Sequence, residues 1–242
     1  MNKRLTIIFI SLAVVVLLVV LSCVIFIIGD VQVETTSDLT LTDEQKASIV
    51  NDSQIAKYSS IFALSEEKAS EYIESKNPTL KVVMIERKAP NKVVINITGR
   101  TGVFAVATEG GYAVLDRDLK RIDDVSDIGD KFLCVTSGID LTDIALGGFL
   151  DNDKLVKMIR AAEEVSFVGA RFGAFFVTMQ VGESYVDLTT NTGVIFRLNA
   201  SDNIGTILKQ CYNFYLNAAN DAQKSSGYIY LSDSGFRHAY SL

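Results

Sequence analysis

The first pattern along the chain is an uncharged apolar run over residues 5–28, in which the only polar interruptions are Thr6, Ser11 and Ser22. As a helix this run reaches about 36 Å at about 1.5 Å per residue, enough to cross a hydrocarbon core of about 30 Å. No other stretch of the sequence has this character. The pattern predicts a single transmembrane helix over residues 5–28.

The charges that flank the apolar run predict its orientation. Lys3 and Arg4 precede it, whereas Asp30 and Glu34 follow it. Because positive charge is retained on the cytoplasmic side, residues 1–4 are expected in the cytoplasm and the bulk of the chain outside. A cleaved signal peptide is the alternative, but its apolar core runs for only about 7–15 residues. We therefore expect a single-pass membrane protein with a retained anchor.

Residues 29–98 have the pattern of a small α+β domain. A β-branched run at 31–36 predicts a first strand. The β-rich runs at 80–87 and 92–98 predict a hairpin, with Pro90 in the turn between them.

Two helices are predicted between the first strand and the hairpin. Thr42 and Gln45 have the spacing of a capping box, which begins a helix that runs to Val50. Ser65 is expected to cap a second helix, which ends at Asn77-Pro78. Both helices are expected to cover one face of the sheet.

The remaining residues, 99–242, predict a mixed β-sheet domain with flanking helices. One helix is expected near 152–164, and a second over 204–215, where apolar side chains recur at helical spacing. A last strand is expected over 227–241, bulged or broken at 232–235. The other candidate strands are 102–108, 112–116, 131–136, 165–171, 174–181, 184–189 and 194–198.

The acidic balance of the chain argues against binding to nucleic acid. The formal net charge is −6 at pH 7, and beyond Arg4 there are 21 basic and 29 acidic residues. A phosphate-binding surface needs a clustered excess of Lys and Arg, which this sequence lacks. Cys134 and Cys211 match no disulfide framework, so they are either paired or two buried free thiols.

The sequence offers no recognisable catalytic constellation. Sortases are anchored β-rich proteins with a Cys/His/Arg site in which the histidine precedes the cysteine, whereas here Cys134 and Cys211 precede the only histidine, His238. The carboxylates at 116–118 and 123–124 are interpreted as solvated turn residues rather than paired acids. Structural zinc needs several close Cys or His ligands. No enzyme, cofactor, metal site or small-molecule substrate is expected.

Two short motifs and the order of the predicted parts resemble the bacterial FtsQ/DivIB family of cell division proteins. Residues 86–95, ERKAPNKVVI, are similar to the family's Arg-x-x-Pro-Asn hairpin, and residues 111–116, GYAVLD, are similar to the Tyr-x-x-Leu-Asp strand that opens its β domain. Residues 99–104, GRTGVF, depart from the family's Glu-Arg-x-Pro-Val-Ala sequence. The family order is a short cytoplasmic end, one span, a POTRA domain and a β domain.

This resemblance implies a POTRA-like domain at 29–98 and an FtsQ-type β domain at 99–242. It implies a noncatalytic scaffold of the divisome, located at the division septum, that helps to position the septal cell-wall machinery. The implied partners are membrane division proteins of the FtsB/DivIC and FtsL type. The alternative function is that of another POTRA-containing protein in envelope assembly or secretion.

In some family members the carboxy-terminal strand region binds FtsB. An exposed strand edge offers unpaired backbone groups to an extended partner segment. The sequence leaves open whether the last strand is an edge or an internal strand of its sheet. The positions that match this region are Tyr230, Ser232, Asp233, Ser234, Gly235 and Phe236.

Overall fold

The computed structural model describes residues 10–17, 25–129, 133–165 and 171–241. The chain divides into two compact units, Met1–Gly99 and Arg100–Leu242. Each unit has its own hydrophobic core.

The predicted transmembrane helix over 5–28 falls partly outside the described residues, which leave out 5–9 and 18–24, and the predicted cytoplasmic end lies outside them as well. Residues 10–17 are helical and their side chains are exposed. Within the described ranges, no helix has both the length and the apolar character needed to cross a membrane.

The prediction is wrong at the carboxyl end of this helix. Ile27 forms an isolated antiparallel β-bridge with Ser60, and Ile28 is buried in the core of the first unit. Phe26 packs against the same core. Apolar side chains suit a protein core as well as a bilayer, so composition alone did not mark the boundary.

A three-stranded sheet forms the centre of the first unit. Its strands are β1 (Asp30–Thr35), β2 (Leu80–Lys88) and β3 (Lys92–Gly99), arranged in the order β1-β3-β2. β1 pairs with β3 in parallel, and β2 pairs with β3 as the predicted antiparallel hairpin. Alternate side chains of β3 are fully buried against the helices, and these are Val93, Ile95 and Ile97.

Two helices, α1 (Asp43–Asp52) and α2 (Glu66–Lys76), complete the first unit. The capping box of α1 is confirmed, since Thr42 Oγ1 accepts the Gln45 N–H at 3.3 Å and Gln45 Oε1 accepts the Thr42 N–H at 2.9 Å. Ser65 caps α2 through its hydroxyl oxygen. The predicted order of strand, helix, helix, strand, strand is therefore confirmed.

The second unit contains a nine-stranded mixed sheet. Its order is β12-β11-β10-β9-β8-β7-β4-β5-β6, and the pairs β4–β7, β7–β8 and β10–β11 are parallel. The strands are β4 (Gly102–Thr108), β5 (Gly111–Asp116), β6 (Arg121–Val125), β7 (Cys134–Ser137), β8 (Phe176–Val181), β9 (Tyr185–Thr190), β10 (Ile195–Asn199), β11 (Tyr228–Ser232) and β12 (Gly235–Ala239).

Helices α3 (Asp153–Glu163) and α5 (Ile204–Asn217) pack against each other, and α5 also packs on β10 and β11. Both were predicted. The helical spacing of apolar residues in α5 is confirmed, because every predicted position is buried, namely Ile204, Ile207, Leu208, Cys211, Tyr212 and Tyr215.

In the second unit one predicted strand begins later than expected, one strand was missed, and one prediction lies mostly outside the described residues. Residues 172–175 form a short helix, α4, so the strand predicted over 174–181 begins at Phe176. β6 was not predicted, because its sequence is mostly polar. The strand predicted over 165–171 lies largely outside the described residues, which omit 166–170.

Candidate partner-binding edge

The predicted last strand is a hairpin of two strands, and its second strand, β12, is an edge of the nine-stranded sheet. Among the described strands, none pairs with the outer side of β12. The opposite edge, β6, is partly covered, because the Arg121 N–H donates to the Gly148 carbonyl at 2.9 Å and the Arg121 carbonyl accepts from the Gly147 N–H at 2.7 Å. An edge strand turns alternate N–H and C=O groups outward. β12 is therefore the more open edge.

The hairpin is attached to the sheet through β11. This strand lies parallel to β10 after the α5 crossover, and the Ile195 N–H donates to the Gly227 carbonyl at 2.8 Å. Ile229, in the middle of β11, is fully buried in the core on which α5 packs. A buried anchor residue fixes which face of the hairpin meets the core, since a shift by one residue would expose it.

Glycine is required at position 227, where β11 begins. Its φ is +86°, and a Cβ there would lie 2.5 Å from the Ala239 carbonyl oxygen and 2.8 Å from Nε2 of His238. The same His238 nitrogen lies 2.7 Å from the Ser226 carbonyl oxygen. This close packing ties the end of β12 to the start of β11.

The turn of the hairpin is held by side-chain hydrogen bonds. The Ser232 hydroxyl donates to the Gly235 carbonyl at 2.9 Å, and Arg237 Nε donates to Ser234 Oγ at 2.9 Å. Gly235 has φ +104°, a conformation that favours glycine. Local hydrogen bonds of this kind stabilise turns without help from a core.

β12 presents two chemically different faces. Phe236 lies opposite Leu231, on the face that meets α5, and is half-buried against the core. Arg237 lies opposite Tyr230, on the other face, and is exposed. Because side chains alternate along a strand, a segment added to β12 would meet an aromatic surface on one side and a cation on the other.

The face that carries Arg237 continues onto a second arginine in β10. Arg197 Nε and one terminal nitrogen donate to the two carboxylate oxygens of Asp187 at 2.8 and 2.6 Å. The rings of Tyr185 and Tyr228 lie 5.5 and 4.8 Å from its guanidinium carbon. The hydrogen bonds with Asp187 raise the pKa of Arg197, so its charge is fixed.

The structure brings the six predicted site residues together in the β11–β12 hairpin. Tyr230 and Ser232 lie in β11, Asp233 and Ser234 form the exposed turn, and Gly235 and Phe236 begin β12. Their role in binding stays a prediction. Sequence reasoning treated 232–235 as a bulge or break in one strand and did not identify Arg237 on the exposed face of β12. The turn sequence Ser-Asp-Ser-Gly between two alternating runs was the available signal.

Two cysteines lie in the second unit. Cys134 and Cys211 are free thiols buried in the core of the second unit, so the alternative of two unpaired thiols is confirmed. Burial raises the pKa of each thiol from 9.0 to about 12. The reactive form of cysteine is the thiolate, and both groups are neutral at physiological pH.

Alkylation should therefore distinguish these thiols from ordinary ones. At about pH 8, a pKa near 12 instead of 9.0 lowers the thiolate fraction roughly a thousandfold. We expect iodoacetamide to label Cys134 and Cys211 in the native chain at least about a hundred times more slowly than in urea, as measured by peptide mass spectrometry. Equal rates in the two conditions would contradict the buried positions.

The carboxylates considered for chemistry fall into two groups. Asp123 and Asp124 are exposed on β6, as expected. The interpretation of Asp116 as a solvated turn residue is wrong, because it is 2% exposed and forms an ion pair with Arg100 at 2.5 Å. In the described part of the chain, no group of three or more His, Cys, Asp or Glu side chains is arranged to hold a metal.

Comparison with known proteins supports the resemblance drawn from the motifs. Residues 39–100 match the family model of the POTRA domain, FtsQ-type. A stretch of 103 residues is 29% identical to the cell division protein DivIB of Clostridium tetani (strain Massachusetts / E88). The chain resembles the FtsQ/DivIB family.

The likeness to FtsQ and DivIB covers part of each protein. The alignment with DivIB spans 43% of this chain and 38% of the length of that relative. The FtsQ-type match includes α1, α2 and the β2–β3 hairpin, all within the first unit. The FtsQ/DivIB resemblance predicted from the hairpin and strand motifs is confirmed.

Proposed function

We propose that this chain is a noncatalytic cell division protein that links membrane division proteins outside the cytoplasm and helps to position the septal cell-wall machinery. The proposal rests on the FtsQ-type POTRA match together with the open edge at β12. The apolar residues 5–25, which precede the segment that enters the core of the first unit, supply the membrane anchor, with the amino terminus in the cytoplasm. The protein acts at the division septum.

Binding occurs by strand addition at β12. A partner segment in extended conformation pairs with the outward N–H and C=O groups of this strand and extends the nine-stranded sheet. Main-chain hydrogen bonds supply much of the affinity, and the side chains on the two faces of β12 supply selectivity. Phe236 offers an apolar contact on the α5 face, and Arg237 favours an acidic partner residue on the other.

The partners are membrane division proteins of the FtsB/DivIC and FtsL type. The family resemblance implies these partners for the protein, and it implies FtsB for the carboxy-terminal strand region of some members. The matching positions are Tyr230, Ser232, Asp233, Ser234, Gly235 and Phe236. A short extended segment of one partner is sufficient for strand addition. The proposal requires no catalytic group.

Two substitutions on β12 test this function. In the full chain reconstituted in nanodiscs, Phe236→Ala combined with Arg237→Glu should weaken capture of a DivIC- or FtsL-type partner by about tenfold or more, because both faces of the edge lose a contact. Arg160→Glu, an equally exposed charge reversal on α3, is the matched control and should bind as the parent does. Hydrogen exchange on the complex should show slower exchange of β12 amides.

Normal partner capture by the folded double variant, with no change in β12 exchange, would reject the edge as the binding site. The cellular role is tested separately by depletion. Depleted cells should grow into filaments without septa, whereas a defect in envelope assembly with normal septation would favour the alternative function.

A further inference from the structure

The loop that precedes α2 is hydrogen-bonded to the carboxyl end of the apolar run. The Ile28 N–H donates to the Ser59 carbonyl at 2.8 Å, and the Tyr58 N–H donates to the Ile28 carbonyl at 2.8 Å. Two residues after Ser59, the Ile61 N–H donates to the Phe26 carbonyl at 2.9 Å. These bonds hold residues 58–62 directly beside the point where the chain leaves the apolar run.

Two aromatic side chains project from this fastened loop. Tyr58 is 75% exposed and Phe62 is 67% exposed, whereas Ile61 between them is buried in the core. The Phe62 ring lies 5.3 Å from the Phe26 ring, so the aromatic surface continues onto the entering chain. Large apolar side chains held rigidly in solvent mark an interaction surface.

The backbone conformation of Tyr58 indicates that this loop has a specific, stabilised structure. Its φ is +67°, a conformation that is uncommon for a bulky residue and costs on the order of 1 kcal/mol or more. Its N–H bond to Ile28 maintains this conformation. The consequence is that the Tyr58 ring projects outward while Ile61 anchors the loop.

The surface that suits these rings is the bilayer from which the chain emerges. Ile25, immediately before the fastened segment, is 48% exposed, and the apolar helical residues 10–17 are exposed as well. Tyrosine concentrates at the interface between hydrocarbon and water, where its apolar body and its polar tip are both satisfied, and the phenylalanine ring of Phe62 supplies apolar area beside it. Lys57 is exposed next to Tyr58, which suits a surface of anionic headgroups.

We propose that Tyr58 and Phe62 form a lipid-contacting anchor that rests in the headgroup region and sets the orientation of the first unit on the membrane. The inference rests on the membrane anchoring proposed above. It adds a second point of contact, since one helix alone leaves the attached unit free to swing. With a second contact on the loop at 58–62, the unit holds a defined tilt.

The chain contains no tryptophan, so a single introduced tryptophan reports its own surroundings. The full chain carrying Tyr58→Trp or Phe62→Trp is reconstituted in vesicles of phosphatidylcholine and phosphatidylglycerol, with or without brominated acyl chains. Tyr72→Trp is the matched control, because Tyr72 is 42% exposed on α2, beyond the loop that bonds to residues 26–28. Flotation of the vesicles measures membrane anchoring in the same samples.

Brominated lipid should quench the fluorescence of the Tyr58→Trp and Phe62→Trp chains at least about twofold more than that of the Tyr72→Trp chain, and their emission should lie further to the blue. Equal quenching in a chain that floats with the vesicles would overturn the lipid contact and leave the anchor intact. A chain that does not float would reject the anchor and this contact with it. Quenching of the Tyr72→Trp chain alone, with none in the Tyr58→Trp and Phe62→Trp chains, would also overturn the proposal.

Discussion

Replacing Asp116 with alanine should lower the free energy of unfolding of the second unit by about 3–5 kcal/mol. The Asp116 carboxylate pairs with Arg100 at 2.5 Å, and the two side chains are 3% and 4% exposed. Its other oxygen accepts the N–H groups of Asp118 and Lys120, both at 2.9 Å. The variant removes the nearest countercharge of the buried Arg100 guanidinium. It also removes the acceptor of the two N–H groups that hold the turn.

Urea unfolding of the full chain in detergent, followed by hydrogen exchange of the β4 and β5 amides, measures this loss. Asp123→Ala on β6 is the control, and because its carboxylate is exposed it should change stability by less than about 0.5 kcal/mol. A loss below about 1 kcal/mol for Asp116→Ala would show that the pair contributes little beyond its own desolvation.

Phe196→Ala should destabilise the same unit by about 3–5 kcal/mol. Phe196 is fully buried on β10, and its ring centroid lies 5.4 Å from that of Phe176 and 5.7 Å from that of Tyr215. Truncation removes a side chain shared by the sheet and α5, which leaves a cavity. Because β11 pairs with β10, amides of the β11–β12 hairpin should exchange faster as well.

Two further substitutions distinguish the loss of core packing at Phe196 from a nonspecific effect of any substitution in the sheet. Phe196→Leu keeps most of the volume and should cost less than the alanine variant, by about 1–2 kcal/mol. Val177→Ala, on the exposed side of β8, should change stability by less than about 0.5 kcal/mol. Equal urea midpoints for Phe196→Ala and Val177→Ala would contradict a central role in the core for Phe196 and its neighbours Phe176 and Tyr215.

Features with a local cause were predictable from the sequence. Thr42 with Gln45, and Ser65, cap helices through contacts that span three residues. The apolar spacing of α5 depends only on helical geometry, so all of its buried positions were found. The β2–β3 hairpin followed from two β-rich runs and a short turn.

Features that depend on distant partners were not predictable. The burial of Asp116 depends on Arg100, sixteen residues earlier, and nothing near Asp116 in sequence reveals the pair. β6 exists because Arg121–Val125 pairs with β5, although two consecutive aspartates make it look like a loop. Ile28 enters a protein core rather than a bilayer because Ser59 and Tyr58 bind its backbone.

The residues of the candidate site were grouped from the sequence, but the hairpin that they form was not predicted. The resemblance to the FtsQ/DivIB family pointed to the residues around the turn, and the structure brings these residues together in one hairpin. Whether they formed one broken strand or two paired strands depended on the register that sets Ile229 opposite His238. That register is fixed by the fit of Ile229 into the core, which is a property of the folded unit.

The position of β12 in the chain also determines when the edge becomes available. β12 lies at Gly235–Ala239, after every other strand of the sheet that it borders. A chain still emerging from the ribosome therefore carries the rest of the sheet before it carries the outermost strand. Under the proposed function, recruitment through this strand is reserved for molecules whose synthesis has passed the hairpin.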